Sequence, residues 1–139
     1  YLEPLMDDTV FNPCDHAHVL TRRARGVPFW FSLATYGTDA YRDAIEQTLT
    51  VARATRDLVV AADHLELLVE PELSVVAFRR RGWDADDYQA WCDRLLADGT
   101  AMLTTTTFDG EPAMRLCIVN PRTTVDDLAE ILATLAPGA

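Results

Sequence analysis

Arg115 lies in a strand-like run, Ala113-Met-Arg-Leu-Cys-Ile-Val119. Alternation puts Met114, Leu116 and Ile118 on one face of that run and Ala113, Arg115, Cys117 and Val119 on the other. A guanidinium set among small apolar neighbours needs an anionic partner. One reading is a salt bridge to an Asp or Glu of the same chain. The other is a receptor for a ligand's carboxylate, which the planar two-pronged guanidinium matches. A second cluster is Cys14-Asp-His-Ala-His18. His16 could serve as an acid near neutral pH; the plain alternative is a solvated loop histidine. In extended chain Cys14, His16 and His18 point to one side, and thiolate and imidazole suit zinc. Three ligands at alternating positions strain a tetrahedral site, and no fourth stands nearby, so metal binding is disfavoured.

The remaining candidates are cationic. Arg22 and Arg23 precede an aromatic helical stretch and read either as solvated helix arginines or as part of a site. Arg79-Arg80-Arg81, followed by Gly82, reads as a solvated turn, and His64 as a loop residue without an evident partner. All twelve basic residues are arginine. Compositional bias explains this most simply. Its chemical consequence is firm all the same: the chain holds no lysine to act as nucleophile or Schiff base.

A length of 139 residues suits one domain with a real core. The formal net charge of −10 disfavours nucleic acid and anionic membrane surfaces, both of which call for basic clusters. No apolar run reaches the roughly 20 residues of a membrane span. Three cysteines without a short CxxC pairing suggest reduced thiols in a cytoplasmic setting, and Cys92 and Cys117 read as small buried hydrophobes. No secretory leader is visible, and a start on Tyr1 suggests a processed piece or fragment.

These groups must be positioned by the elements around them. The opening residues to His18 read as an arm. A helical pattern over Val19–Tyr36 should break near Arg25–Val27 and restart with Pro28 in its first turn. Phe29, Trp30 and Phe31 make that piece apolar over a wide arc, as at an interface or core. Gly37 should end it and Thr38 cap a long helix to about Ala62. Strands are expected at Leu65–Val69, Ser74–Arg79, Ala101–Phe108 and Ala113–Val119, the last two joined at Asp109-Gly110. Helices should begin after Asp84, with Asp87 at the capping-box position, and after Thr124. The expected fold class is α+β, a mostly antiparallel four-stranded sheet with helices on one face. Residues 1–36 would form an arm and broken helix, and residues 37–139 the domain proper.

The ordered run Leu103-Thr-Thr-Thr-Thr-Phe-Asp-Gly-Glu-Pro-Ala-Met-Arg-Leu-Cys-Ile-Val-Asn-Pro-Arg-Thr-Thr124 resembles the C-terminal signature of the group II pyridoxal-phosphate-dependent amino-acid decarboxylases. Upstream, Thr21-Arg-Arg-Ala-Arg-Gly-Val-Pro-Phe-Trp-Phe-Ser-Leu-Ala-Thr-Tyr-Gly37 is similar to the family's arginine-pair helix, and Leu65–Arg79 to its strand pair. Together the matches cover about residues 20–135. Gly26 and Pro28 depart from the commonest form.

The resemblance implies the C-terminal small domain of a fold-type-I enzyme. Pyridoxal 5'-phosphate would be bound mainly by an upstream large domain, in a cytoplasmic homodimer acting on a small amino acid. It also implies that Thr21 lies near the substrate pocket, with Arg22 ordering it; whether Arg115 meets substrate or only a neighbouring carboxylate stays open. His16 would stand close to where the family's mobile loop carries a tyrosine, thought to protonate the substrate carbon after decarboxylation. A second expectation, from another class, is a stand-alone α+β binding or assembly module. A reading frame continuing upstream to a His-Lys pair would favour the enzyme. A small metalloprotein centred on Cys14–His18 would require stoichiometric zinc.

Overall fold

The computed structural model describes residues 23–138. Helix α1 spans Gly26–Ala61, with Pro28 in its first turn, where its missing N–H has no helical partner to lose. Gly37 sits at φ 79°, ψ 161°, a conformation that interrupts the helix and that glycine adopts without a Cβ penalty. Contacts divide the chain between Gly37 and Thr38. On the first side Trp30, Phe31 and Tyr36 are exposed. On the second side Thr48, Val51, Ala52, Thr55 and Val59 form one buried stripe at helical spacing.

Strands β1 (Leu65–Leu67) and β2 (Val75–Arg80) pair antiparallel, with Leu67 opposite Phe78. Helix α2 (Ala85–Ala97) starts on a reciprocal capping box between Asp84 and Asp87. Strands β3 (Thr105–Phe108) and β4 (Glu111–Cys117) form the hairpin, and positive φ at both Asp109 and Gly110 makes its turn type I′. Helix α3 (Val125–Ala133) is capped by Thr124. The sheet runs β1-β2-β4-β3, every neighbouring pair antiparallel.

Val76, Phe78, Met114 and Leu116 point from the two central strands into one core, which the second piece of α1, α2 and α3 close. All three helices therefore bury their apolar stripes on the same sheet face, as the α+β reading expected. The largest buried side chain is Trp91 of α2, edge-on to Trp83 at 6.2 Å, its indole N–H donating to Thr134 Oγ1 at 2.8 Å.

Two expectations need correction. Residues 101–104 are not strand: Thr100 N–H and Ala101 N–H donate to the Leu95 carbonyl, so the chain there closes the end of α2 before it can join the sheet. Cys117 is exposed, because it lies on the face that no helix covers; Cys92 is buried, and burial pushes its thiol pKa up.

Two stability predictions arise here. Backbone and hydroxyl hydrogen bonds at Thr124 hold the Asp127 carboxyl below its usual range. A depressed carboxyl stabilises the fold above its unfolded pKa and loses that effect as pH falls through the folded one. Asp127→Asn should therefore flatten the dependence of the urea midpoint on pH below about 4. Separately, His64 Nε2 is buried with no hydrogen-bond partner among the described residues. An orphaned buried polar atom costs about 1–3 kcal/mol. His64→Leu should leave the urea midpoint unchanged or raise it, and a clear fall would refute this account.

Candidate functional site

The face of the sheet turned away from the helices carries Arg115, the described candidate residue. Arg115 stands there opposite Ala77 of β2, flanked along β4 by Ala113 and Cys117. It is exposed and makes no ion pair or hydrogen bond among the described residues. Among the described residues no carboxylate pairs with it. Nearby carboxylates on this face have other partners: Glu111 pairs with Arg79 at 3.1 Å, and Glu66 lies 3.7 Å from Arg81. Arg115 is thus a cation flanked along β4 by Ala113 and Cys117 and without a charge partner among the described residues.

Arg79 is the group that sequence reasoning missed. It is half-buried, and its guanidinium donates to the Phe108 carbonyl at 2.6 Å and the Pro112 carbonyl at 3.3 Å while pairing with Glu111. One side chain of β2 thereby grips both strands of the β3–β4 hairpin. Arg80 is also committed, donating to the Leu135 carbonyl at 2.7 Å and lying 5.6 Å over the Trp83 ring. Its backbone N–H donates to the Tyr88 hydroxyl at 2.8 Å, and burial pushes the Tyr88 pKa up. Only Arg81 suits the solvated-turn reading. The available signal was period two: Arg79 falls on the same sheet face as Ala77, not in a turn.

Two concavities flank these residues. A cleft of about 560 Å³ is bordered by Arg79, Arg81, Trp83, Glu66 and Glu111, whose charges are matched among themselves. An apolar groove of about 320 Å³ lies between the second piece of α1 and the strand ends, lined by Ile45, Leu49, Leu73, Ile118 and Val119. His16, Thr21 and Arg22 lie outside the described residues, as do Cys14 and His18, so of the candidate site residues Arg115 alone is placed. Among the described residues no cluster of three His, Cys, Asp or Glu could hold a metal ion. No helix there is long and apolar enough to cross a membrane.

No family model matches the chain. Individual relatives do. It is 32% identical to an L-2,4-diaminobutyrate decarboxylase of Rhizobium meliloti (strain 1021), over 100% of this chain and 30% of that protein. It is 29% identical to an aromatic-L-amino-acid decarboxylase of Bacillus atrophaeus, over 81% of this chain and 25% of that protein. Among solved structures, the glutamate decarboxylase domain of a Vibrio parahaemolyticus diaminobutyrate-pyruvate transaminase and L-2,4-diaminobutyrate decarboxylase superposes with TM-score 0.71 at 29% identity, covering 86% of this chain and 27% of that one. The chain is a relative of the group II pyridoxal-phosphate-dependent amino-acid decarboxylases.

This decarboxylase relative has the fold of the family's C-terminal small domain. At 19% identity, mouse CSAD shares that fold with TM-score 0.75. The chain spans between 13% and 30% of the length of these curated decarboxylases. The chain has no lysine, the residue through which pyridoxal phosphate forms its Schiff base, so that bond would have to come from elsewhere.

Proposed function

We propose that this chain is the C-terminal part of a pyridoxal-phosphate-dependent L-amino-acid decarboxylase, shaping the substrate pocket and supporting a homodimer in the cytoplasm. The observation that carries this reading is Arg115. In a chain aligned with decarboxylases, an arginine with its charge uncommitted stands on the open sheet face, inside the segment that resembles the family signature. A guanidinium there can take a substrate carboxylate in two parallel charge-assisted hydrogen bonds. Residues beyond this chain would supply the cofactor lysine.

The arm and broken helix of residues 1–36 would lead from an upstream large domain and cover the pocket. Within it Thr21 would border the substrate, Arg22 would order that border, and His16 would offer a proton near neutral pH. The exposed Trp30 and Phe31 suit burial against that larger body. Support comes from the names of the relatives, which act on aromatic and diamino substrates.

The test is carbon dioxide release from a panel of L-amino acids by the complete reading frame that contains this chain, with pyridoxal phosphate added. Release from at least one aromatic, acidic or diamino substrate is expected. No release from any of them, by protein shown to have bound the cofactor, would overturn the proposal.

A further inference from the structure

Arg79 and Arg115 share the open face of adjacent strands. Arg115 is opposite Ala77, and Arg79 is the next residue of β2 on that face. Side chains in this diagonal relation have their Cα atoms about 7–8 Å apart. Their environments differ sharply. Arg79 is saturated by two hairpin carbonyls and Glu111, and Arg115 has no such partner among the described residues.

We infer that Arg79 is a positioning residue that acts through Arg115. Its grip on Phe108 and Pro112 locks the hairpin from which β4, and so Arg115, extends. By engaging Glu111 it also neutralises the carboxylate that β4 itself carries on this face. Arg115 is then held by a braced strand, with its charge left for a ligand carboxylate. The hydrogen bonds run to backbone carbonyls on either side of a two-residue turn, where a small change in one strand swings the other. A guanidinium can satisfy two carbonyls and a carboxylate at once, and a lysine ammonium at this position could not span them in the same plane. This inference rests on the reading of Arg115 as a substrate-carboxylate contact.

The test is a double-mutant cycle in the complete enzyme, with Arg79→Gln, Arg115→Gln and the pair, read as KM and kcat separately. Arg79→Gln should raise KM about tenfold with kcat changed by less than about twofold, since a displaced binding group costs binding first. In the Arg115→Gln background it should add nothing to KM, because the group it positions is gone. Hydrogen exchange should show the β3–β4 amides losing protection in Arg79→Gln but not in Arg115→Gln. Arg79→Lys, which keeps the charge beside Glu111, should give an intermediate KM and the same non-additivity, and it carries the cycle if the glutamine variant fails to fold. Full additivity would overturn the positioning role while leaving Arg115 as a contact. An unchanged KM in Arg115→Gln would instead overturn the substrate reading on which the inference stands.

Discussion

Trp91→Ala is expected to lower stability by about 3–5 kcal/mol, the range for truncating a fully buried large aromatic. The indole lies at the centre of the helical layer, 1% exposed, with Trp83 edge-on at 6.2 Å. Removing it leaves a cavity under α2 that Tyr88, Leu95 and the sheet cannot refill without shifting. It also deprives Thr134 Oγ1 of the indole N–H at 2.8 Å, although that hydroxyl still donates to the Ile131 carbonyl at 2.6 Å. Domains of this size hold about 5–15 kcal/mol in total, so the loss is a large fraction of the whole. Urea denaturation followed by circular dichroism measures it, and Trp91→Phe separates the two contributions. The phenyl ring fills part of the space and removes the hydrogen bond, so it should cost less than the alanine variant, about 1–3 kcal/mol. Equal losses in the two variants would show that the hydrogen bond, and not the packing, holds this layer together.

Arg115→Gln in the complete enzyme should raise KM for the amino-acid substrate by about 30–100-fold, equivalent to about 2–3 kcal/mol of charge-assisted bonding. Glutamine keeps the length for one hydrogen bond and removes the charge and the second prong. Because Arg115 is exposed and makes no internal bond among the described residues, the same substitution should leave the urea midpoint nearly unchanged. That contrast is the point of the measurement. A structural arginine would move stability, and a substrate contact moves KM alone. Arg115→Lys should fall between, since an ammonium keeps the charge and loses the bidentate geometry. A stability loss in Arg115→Gln comparable to that of Trp91→Ala would refute the assignment.

Much of the fold was legible where a residue's local chemistry allows few alternatives. Asp109-Gly110 demanded a two-residue turn with positive φ, and both residues adopt it. Asp84 with Asp87, and Thr124 ahead of the last helix, announced helix starts that form as capping boxes. Period-two alternation put Met114 and Leu116 on the buried face and Arg115 on the other, and the pairing with Phe78 and Val76 agrees.

Strand limits were less legible. Residues 101–104 look like strand by alternation, yet Thr100 and Ala101 bond back to Leu95, and β3 begins only at Thr105. Helix closure and strand pairing compete for the same backbone groups, and composition does not settle which wins. The same limit hid Arg79. Its partners Phe108, Glu111 and Pro112 lie about thirty residues further along the chain, and only the β2–β4 pairing brings them within reach.

By itself, the sequence determined the elements, the turn chemistry, the alternation that turns Arg115 outward and the absence of a lysine. Each of these depends on neighbours within a few residues or on composition alone. Tertiary structure decided which arginine is spent and which has no partner among the described residues. The cross-strand register gives Arg79 two carbonyls and a carboxylate and gives Arg115 an alanine. Charge compensation is set by what a fold places within a few ångströms, and no local pattern encodes that distance.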